Sequence, residues 1–190
     1  MFFFPINQNN KGAATKQSPV AGFTIVEVLV VVVIVAIFAT IAIPSWLGFL
    51  NQRRVNVLRG EAYQALQRAK AQAKAENLSY AVSFQDPTDS PPEVAVYDAS
   101  ESTIPWQPLG EGHDIKDDQV TITASEQTIV FNYQGNVERV VDSNDDPVSN
   151  FNLPYEVTLS VPDGDESTKR CVTVETLIGA MTKKQGSDCP

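Results

Sequence analysis

The stretch VLVVVVIVAIFATIAI occupies residues 28–43 and contains one polar side chain, that of Thr40. Extending it to residues 23–50 adds one ionisable side chain, Glu27. About 20 apolar residues span a bilayer as a helix, and lipid favours a helix because the backbone must satisfy its own hydrogen bonds there. A secretory signal core is only about 7–15 residues long and precedes a small-residue cleavage site. The stretch therefore predicts a membrane-spanning helix rather than a signal core or a buried helix.

Residues 51–78, called the stalk below, continue this helix in an amphipathic form. The stalk has no proline and one glycine, Gly60. Its apolar residues recur at steps of three and four, the spacing of one helix face, at Val55, Leu58, Ala62, Ala65, Leu66, Ala69 and Ala73. Its six basic residues are Arg53, Arg54, Arg59, Arg68, Lys70 and Lys74. We predict a single helix over residues 23–77, broken or bent only near Pro44 and Gly48.

Residues 79–190, called the head below, change to an apolar alternation with a period of two, which is typical of strands. We predict strands at residues 79–84, 93–97, 119–124, 128–133, 136–141, 155–161 and 170–177, with a hairpin turn at residues 134–135. Short connections favour antiparallel pairing. The predicted fold class is α+β: a long N-terminal helix, transmembrane in its first half, packs by its second half on a mainly antiparallel β-sheet head.

The charge distribution and the scarcity of histidine exclude several classes of function. The head has 20 acidic and 6 basic side chains, a formal charge of −14, whereas the stalk has six basic and two acidic, a charge of +4. An acidic head repels nucleic acid. His113 is the only histidine, and no second ligand stands at a metal-like spacing from it. We therefore expect neither an enzyme nor a cofactor.

The residues in front of the apolar stretch, Gly22-Phe23-Thr24-Ile25-Val26-Glu27, resemble the prepilin cleavage signature of type IV pilins and type II secretion pseudopilins. The resemblance implies that a membrane peptidase cuts between Gly22 and Phe23 and methylates the new amino terminus of Phe23. Glu27 is then the fifth residue and Pro44 the twenty-second residue of the mature chain, as in that family. The implied segments are a leader (1–22), a transmembrane and filament-core helix (23–50), an amphipathic continuation (51–78) and an acidic β-rich head (79–190).

The resemblance extends to the GspH/FimT branch of the family, through residues 69–77, 81–84, 129–137 and 170–174. It implies a minor pilin or pseudopilin whose Glu27 pairs with the terminal amine of Phe23 in a neighbouring subunit. The implied partners are the prepilin peptidase and methyltransferase, other pilins or pseudopilins, and an inner-membrane assembly platform. A carboxylate in lipid is expensive, which favours such a functional role.

The implied location is a single pass through the inner membrane, with the head on the periplasmic side. Counting charges gives the opposite orientation, since two lysines, Lys11 and Lys16, precede the span and six basic residues follow it. We keep the head outside because the cleavage signature must face the cytoplasmic peptidase in this family.

The two cysteines, Cys171 and Cys189, are predicted to form a disulfide. If Val172 and Val174 face the core, alternation places Cys171 on the outer face of its strand. A translocated head lies in an oxidising compartment, which favours a bridge over two free thiols. The bridge would fix a C-terminal tail of low apolar content.

Two weaker sites remain open as alternatives to a purely structural role. Asp142, Asn144 and Asp146 begin like a calcium loop, but Pro147 and Leu153 replace the glycine and glutamate of an EF-hand. A second acidic segment at residues 163–166 has the same weak potential. FimT-like members of the branch bind DNA through a Gly-Arg-x-Arg motif, and the matching segment here keeps Gly179 but has Lys183 and Lys184 instead of both arginines.

Overall fold

The computed structural model describes residues 22–113, 115–142, 146–148, 153–162 and 164–189, apart from the side chains of residues 43–45. By contacts the chain divides into two compact units, Met1–Ile43 and Pro44–Pro190. In the first unit, residues 25–43 are helical and almost fully exposed. The second unit holds the rest of the same helix and all of the strands.

The elements are α1 (Ile25–Glu76), β1 (Tyr80–Gln85), β2 (Glu93–Asp98), β3 (Gln107–Pro108), β4 (Thr121–Ala124), β5 (Thr128–Phe131), β6 (Val137–Val141), β7 (Tyr155–Ser160), β8 (Arg170–Val174) and β9 (Met181–Gln185), with 3-10 turns at Glu166–Thr168 and Gly186–Asp188. The helix assignment continues without a break through Pro44 and Gly48, so the predicted interruption near these residues is wrong. The predicted strands are confirmed to within a few residues at their ends. Two strands, β3 and β9, were not predicted.

The stalk face predicted from spacing forms the centre of the core. All seven of its apolar residues are at most 5% exposed, and they cluster with inward side chains of the strands. Fully buried partners include Ile129 and Phe131 from β5, Leu159 from β7 and Val172 from β8. Four of the seven helix residues are alanines, which let the helix backbone lie close to the strands.

The strands form two antiparallel sheets rather than the one expected. One has the order β3-β2-β1-β5-β6 and the other the order β4-β7-β8-β9. The strands β4 and β5 are neighbours in sequence but belong to different sheets. Between them, the Ser125 amide donates to the Glu156 carbonyl in the second sheet (2.8 Å), and the Gln127 carbonyl accepts from Phe84 in the first (3.1 Å). Three residues thus carry the chain from one sheet to the other.

Cys171 and Cys189 form a disulfide with a Cα–Cα distance of 5.7 Å. Alternation along β8 places Cys171 opposite Val172 and Val174, as expected. The thiol side is nevertheless fully buried, because the bridge brings Cys189 and the turn Gly186–Asp188 over it. The expectation of a solvent-exposed outer face at Cys171 is therefore wrong.

Candidate processing and assembly site

The predicted processing site lies directly in front of α1 and is set up by a helix cap. Residues 22–24 are not helical. The Thr24 hydroxyl accepts a hydrogen bond from the Glu27 amide (3.2 Å), and the Thr24 carbonyl accepts one from the Val28 amide (3.2 Å). Thr24 is thus the N-cap of α1, and the Thr-x-x-Glu spacing is that of a capping box. This signal was present in the sequence and was not used to place the helix start.

Glu27 lies in the first turn of α1, where the positive end of the helix dipole favours a carboxylate. Its side chain is exposed and makes no ion pair among the described residues. Phe23 is 81% exposed. The structure therefore brings Phe23 and Glu27 to one helix end and leaves the Glu27 carboxylate available to a group outside the chain.

Gly22 is not required by the fold. A Cβ atom built at this position meets no other atom within 4 Å, and its backbone needs no left-handed conformation. A demand for glycine at this position would therefore come from a processing enzyme rather than from packing. Pro44, the other predicted assembly residue, lies inside α1, and its side chain is outside the described part.

The apolar part of α1 has no covering in the described structure. Its most apolar 18-residue window has a mean hydropathy of 3.1 and is not buried at all. By length and composition this part is suited to cross a membrane. Several valines and isoleucines there are about half exposed or more, among them Ile25, Val28, Val32 and Ile41.

The two lysines proposed as DNA contacts are engaged within the head and stalk. The Lys183 ammonium lies 4.2 Å from the centroid of the Tyr63 ring, which is cation–π distance. The Lys184 ammonium pairs with the Glu175 carboxylate at 3.1 Å. The backbone carbonyl of Lys184 also accepts a hydrogen bond from Arg59 (3.2 Å). These contacts hold β9 to the stalk and to the end of β8.

The proposed calcium loop is only partly described, since Asn144 and Asp163 fall outside the described residues. The Asp142 carboxylate accepts a hydrogen bond from the Asp146 amide (3.0 Å), and the Asp146 carbonyl accepts one from the Asp142 amide (3.1 Å). Among the described residues no group of three acidic, histidine or cysteine side chains could hold a metal ion. Calcium binding stays a prediction.

A fixed contact joins the far end of the stalk to the tips of the head. The Lys70 ammonium donates to the Ile178 carbonyl (2.9 Å) and to the Gly179 carbonyl (2.7 Å). Partial burial and the nearby Lys74 ammonium lower the pKa of Lys70. Gly179 has φ +69, and the adjacent Gly135 has φ +77, so both turns use the left-handed region that favours glycine. Sequence reasoning missed this contact because it joins residues about 108 positions apart.

Comparison with known proteins supports the motif and the fold separately. A model of the prokaryotic N-terminal methylation motif matches residues 18–43. The type IV minor pilin FimU of Pseudomonas aeruginosa is similar in structure, with a TM-score of 0.52 and 13% identity over 75% of this chain and 96% of FimU. The minor pseudopilin EpsH of the Vibrio cholerae type 2 secretion system has a TM-score of 0.44 and 12% identity over 70% of this chain and 98% of EpsH. No curated protein matches the sequence significantly. The chain thus carries a prokaryotic N-terminal methylation motif on a pilin-like fold.

Proposed function

We propose that the chain is a structural minor pilin or pseudopilin, processed between Gly22 and Phe23 and assembled through its N-terminal helix. The observation that carries the proposal is the exposed start of α1, where the motif, the Thr24 cap and the unpaired Glu27 carboxylate occur together. A carboxylate held in lipid without a partner is costly. A neighbouring subunit that brings the terminal amine of its Phe23 to Glu27 removes that cost and sets the register of the two helices.

The proposal includes the partners and the location that this processing requires. A prepilin peptidase and methyltransferase would act on Gly22 and Phe23, and other pilins or pseudopilins would pack on residues 28–43. Before assembly, the apolar part of α1 would anchor the subunit in the inner membrane, served by an assembly platform there. The head would lie on the periplasmic side.

Processing is tested by determining the amino terminus of the purified protein by mass spectrometry. We expect it to begin at Phe23 and to carry one methyl group. Gly22→Val should block cleavage without changing the thermal stability of the head, because the added side chain has open space. A mature protein that begins at another residue contradicts the processing step.

Assembly is tested by measuring how much of the subunit enters filaments when Glu27 is replaced by Gln, which keeps the size and removes the charge. We expect a strong loss of incorporation for Glu27→Gln. The control is Glu111→Gln, which removes an exposed carboxylate from the head. Equal incorporation of both variants contradicts the pairing of Glu27 with Phe23.

The FimT-like DNA-binding role remains an alternative without an observation in its favour. Lys183 and Lys184 are engaged with Tyr63 and Glu175, on a head of formal charge −14. A gel-shift assay at moderate salt, with the Lys183→Ala/Lys184→Ala variant beside the unmodified chain, tests it. DNA binding that is lost in this variant would support the alternative.

A further inference from the structure

A cleft lies between the start of the stalk and the loop that follows β3. Its volume is about 430 Å³. The lining residues are Leu50, Arg53, Arg54, Val57, Gly112, His113 and Ile115. The walls are thus apolar side chains beside two guanidinium groups and an imidazole, and none of the described lining residues is acidic.

The two arginines of the cleft have no carboxylate partner among the described residues. Arg53 is exposed, and Arg54 donates one hydrogen bond to the Asn51 side chain (3.0 Å). Elsewhere in this acidic chain basic side chains are paired, as Arg139 is with Glu138 (2.9 Å) and Lys184 with Glu175 (3.1 Å). The cleft therefore holds a concentrated positive charge that the fold leaves uncompensated.

The carboxylate of Glu61, near the same loop, is occupied by other contacts. It accepts a hydrogen bond from the Gly110 amide (2.6 Å) and lies 3.8 Å from the His113 ring nitrogen. These contacts hold the loop against the stalk. Glu61 thus helps to shape the cleft, and it forms no ion pair with Arg53 or Arg54.

The position of the cleft along the chain indicates what compensates its charge. Directly before it, Trp46 and Phe49 are 62% and 56% exposed, with ring centroids 6.0 Å apart. They follow the exposed apolar part of α1. Exposed aromatic rings at the end of an apolar span are typical of the membrane–water interface, and basic side chains one turn further on meet the headgroups.

We infer that this cleft binds the headgroup of an anionic phospholipid while the subunit is in the membrane. Arg53 and Arg54 would bind the phosphate, and Leu50, Val57 and Ile115 would contact the glycerol and upper acyl region. The apolar walls and the neighbouring aromatic rings favour a lipid over a nucleic-acid backbone, which would leave that surface uncovered. The inference rests on the proposed membrane anchoring, and not on filament assembly.

The test uses the full chain in neutral detergent and measures bound lipid by native mass spectrometry. We expect phosphatidylglycerol to be retained more than phosphatidylcholine. Each basic residue near an anionic surface contributes roughly a fivefold gain in affinity, so Arg53→Gln/Arg54→Gln should lower phosphatidylglycerol affinity on the order of tenfold to thirtyfold. The control, Arg68→Gln/Lys74→Gln, removes the same charge from exposed positions of the same helix and should leave affinity unchanged.

Three outcomes would overturn the inference. Both double variants could lose affinity equally, which would indicate only general attraction. Phosphatidylcholine could bind as well as phosphatidylglycerol. A short DNA oligonucleotide could displace the lipid and bind more tightly, which would indicate a nucleic-acid site. Flotation of the chain with pure phosphatidylcholine vesicles tests the membrane anchoring separately, so a failed anchor is distinguishable from a failed headgroup site.

Discussion

The disulfide between Cys171 and Cys189 is expected to contribute about 3 kcal/mol to the free energy of unfolding. The two cysteines are 18 residues apart, and closing a loop of this length in the unfolded chain gives about that value in the chain-entropy treatment. The bridge also fixes the turn Gly186–Asp188, which is otherwise tied to the head by few hydrogen bonds, including that from the Gly186 amide to the Lys169 carbonyl (3.0 Å). The pairing of β9 with β8 should survive reduction, since it has its own backbone bonds.

The assay is urea unfolding of the full chain in detergent, followed by tryptophan fluorescence with and without reductant. With a typical slope of about 1–3 kcal/mol per M, the midpoint should fall by roughly 1–3 M on reduction. The Cys171→Ala/Cys189→Ala variant serves as the control, because it should unfold near the reduced midpoint under both conditions. A wild-type loss below about 1 kcal/mol would refute the chain-entropy reasoning.

Three further outcomes are expected from the core, the stalk contact and the end of β8. Leu66→Ala should lower the free energy of unfolding by about 2–5 kcal/mol, measured by urea unfolding, because the side chain is fully buried. Lys70→Met should lower it by about 1–3 kcal/mol, since two turn carbonyls lose a charged donor; a variant as stable as wild type would show that the ammonium only offsets its own burial. Hydrogen bonds from Thr182 and Lys184 lower the pKa of Glu175, so its contribution is present above the usual carboxyl pKa and is lost as the pH falls below it. Glu175→Gln should therefore unfold with a weaker pH dependence in the acid range, and an unchanged pH profile would contradict this.

Much of the fold could be predicted because its determining signals are local. The spacing of seven apolar residues predicted the buried face of the stalk, and all seven are buried. Period-two alternation predicted β1, β2 and β4 to β8, because each of them presents one side to the core. The start of α1 was also readable, through the Thr24-x-x-Glu27 spacing.

The missed strand β9 shows where local signals end. Its sequence, MTKKQ, has no apolar alternation, and its pairing comes from the free edge of β8. The cation–π contact of Lys183 with Tyr63 then covers a side chain that the sequence suggested was free to bind DNA. A strand whose partners are distant in sequence has no pattern of its own to predict it.

The sequence by itself determined the processing motif, the apolar helix and its buried stripe, because these depend on residue identity at short, fixed spacing. Only the tertiary structure decided that the strands form two sheets and that Lys70 binds the carbonyls of a distant turn. Likewise, only the structure placed the unpaired Arg53 and Arg54 beside the apolar wall of a loop some 60 residues away. The physical reason is that these features depend on which backbone and side-chain partners remain available once the chain has packed, and local patterning does not specify them.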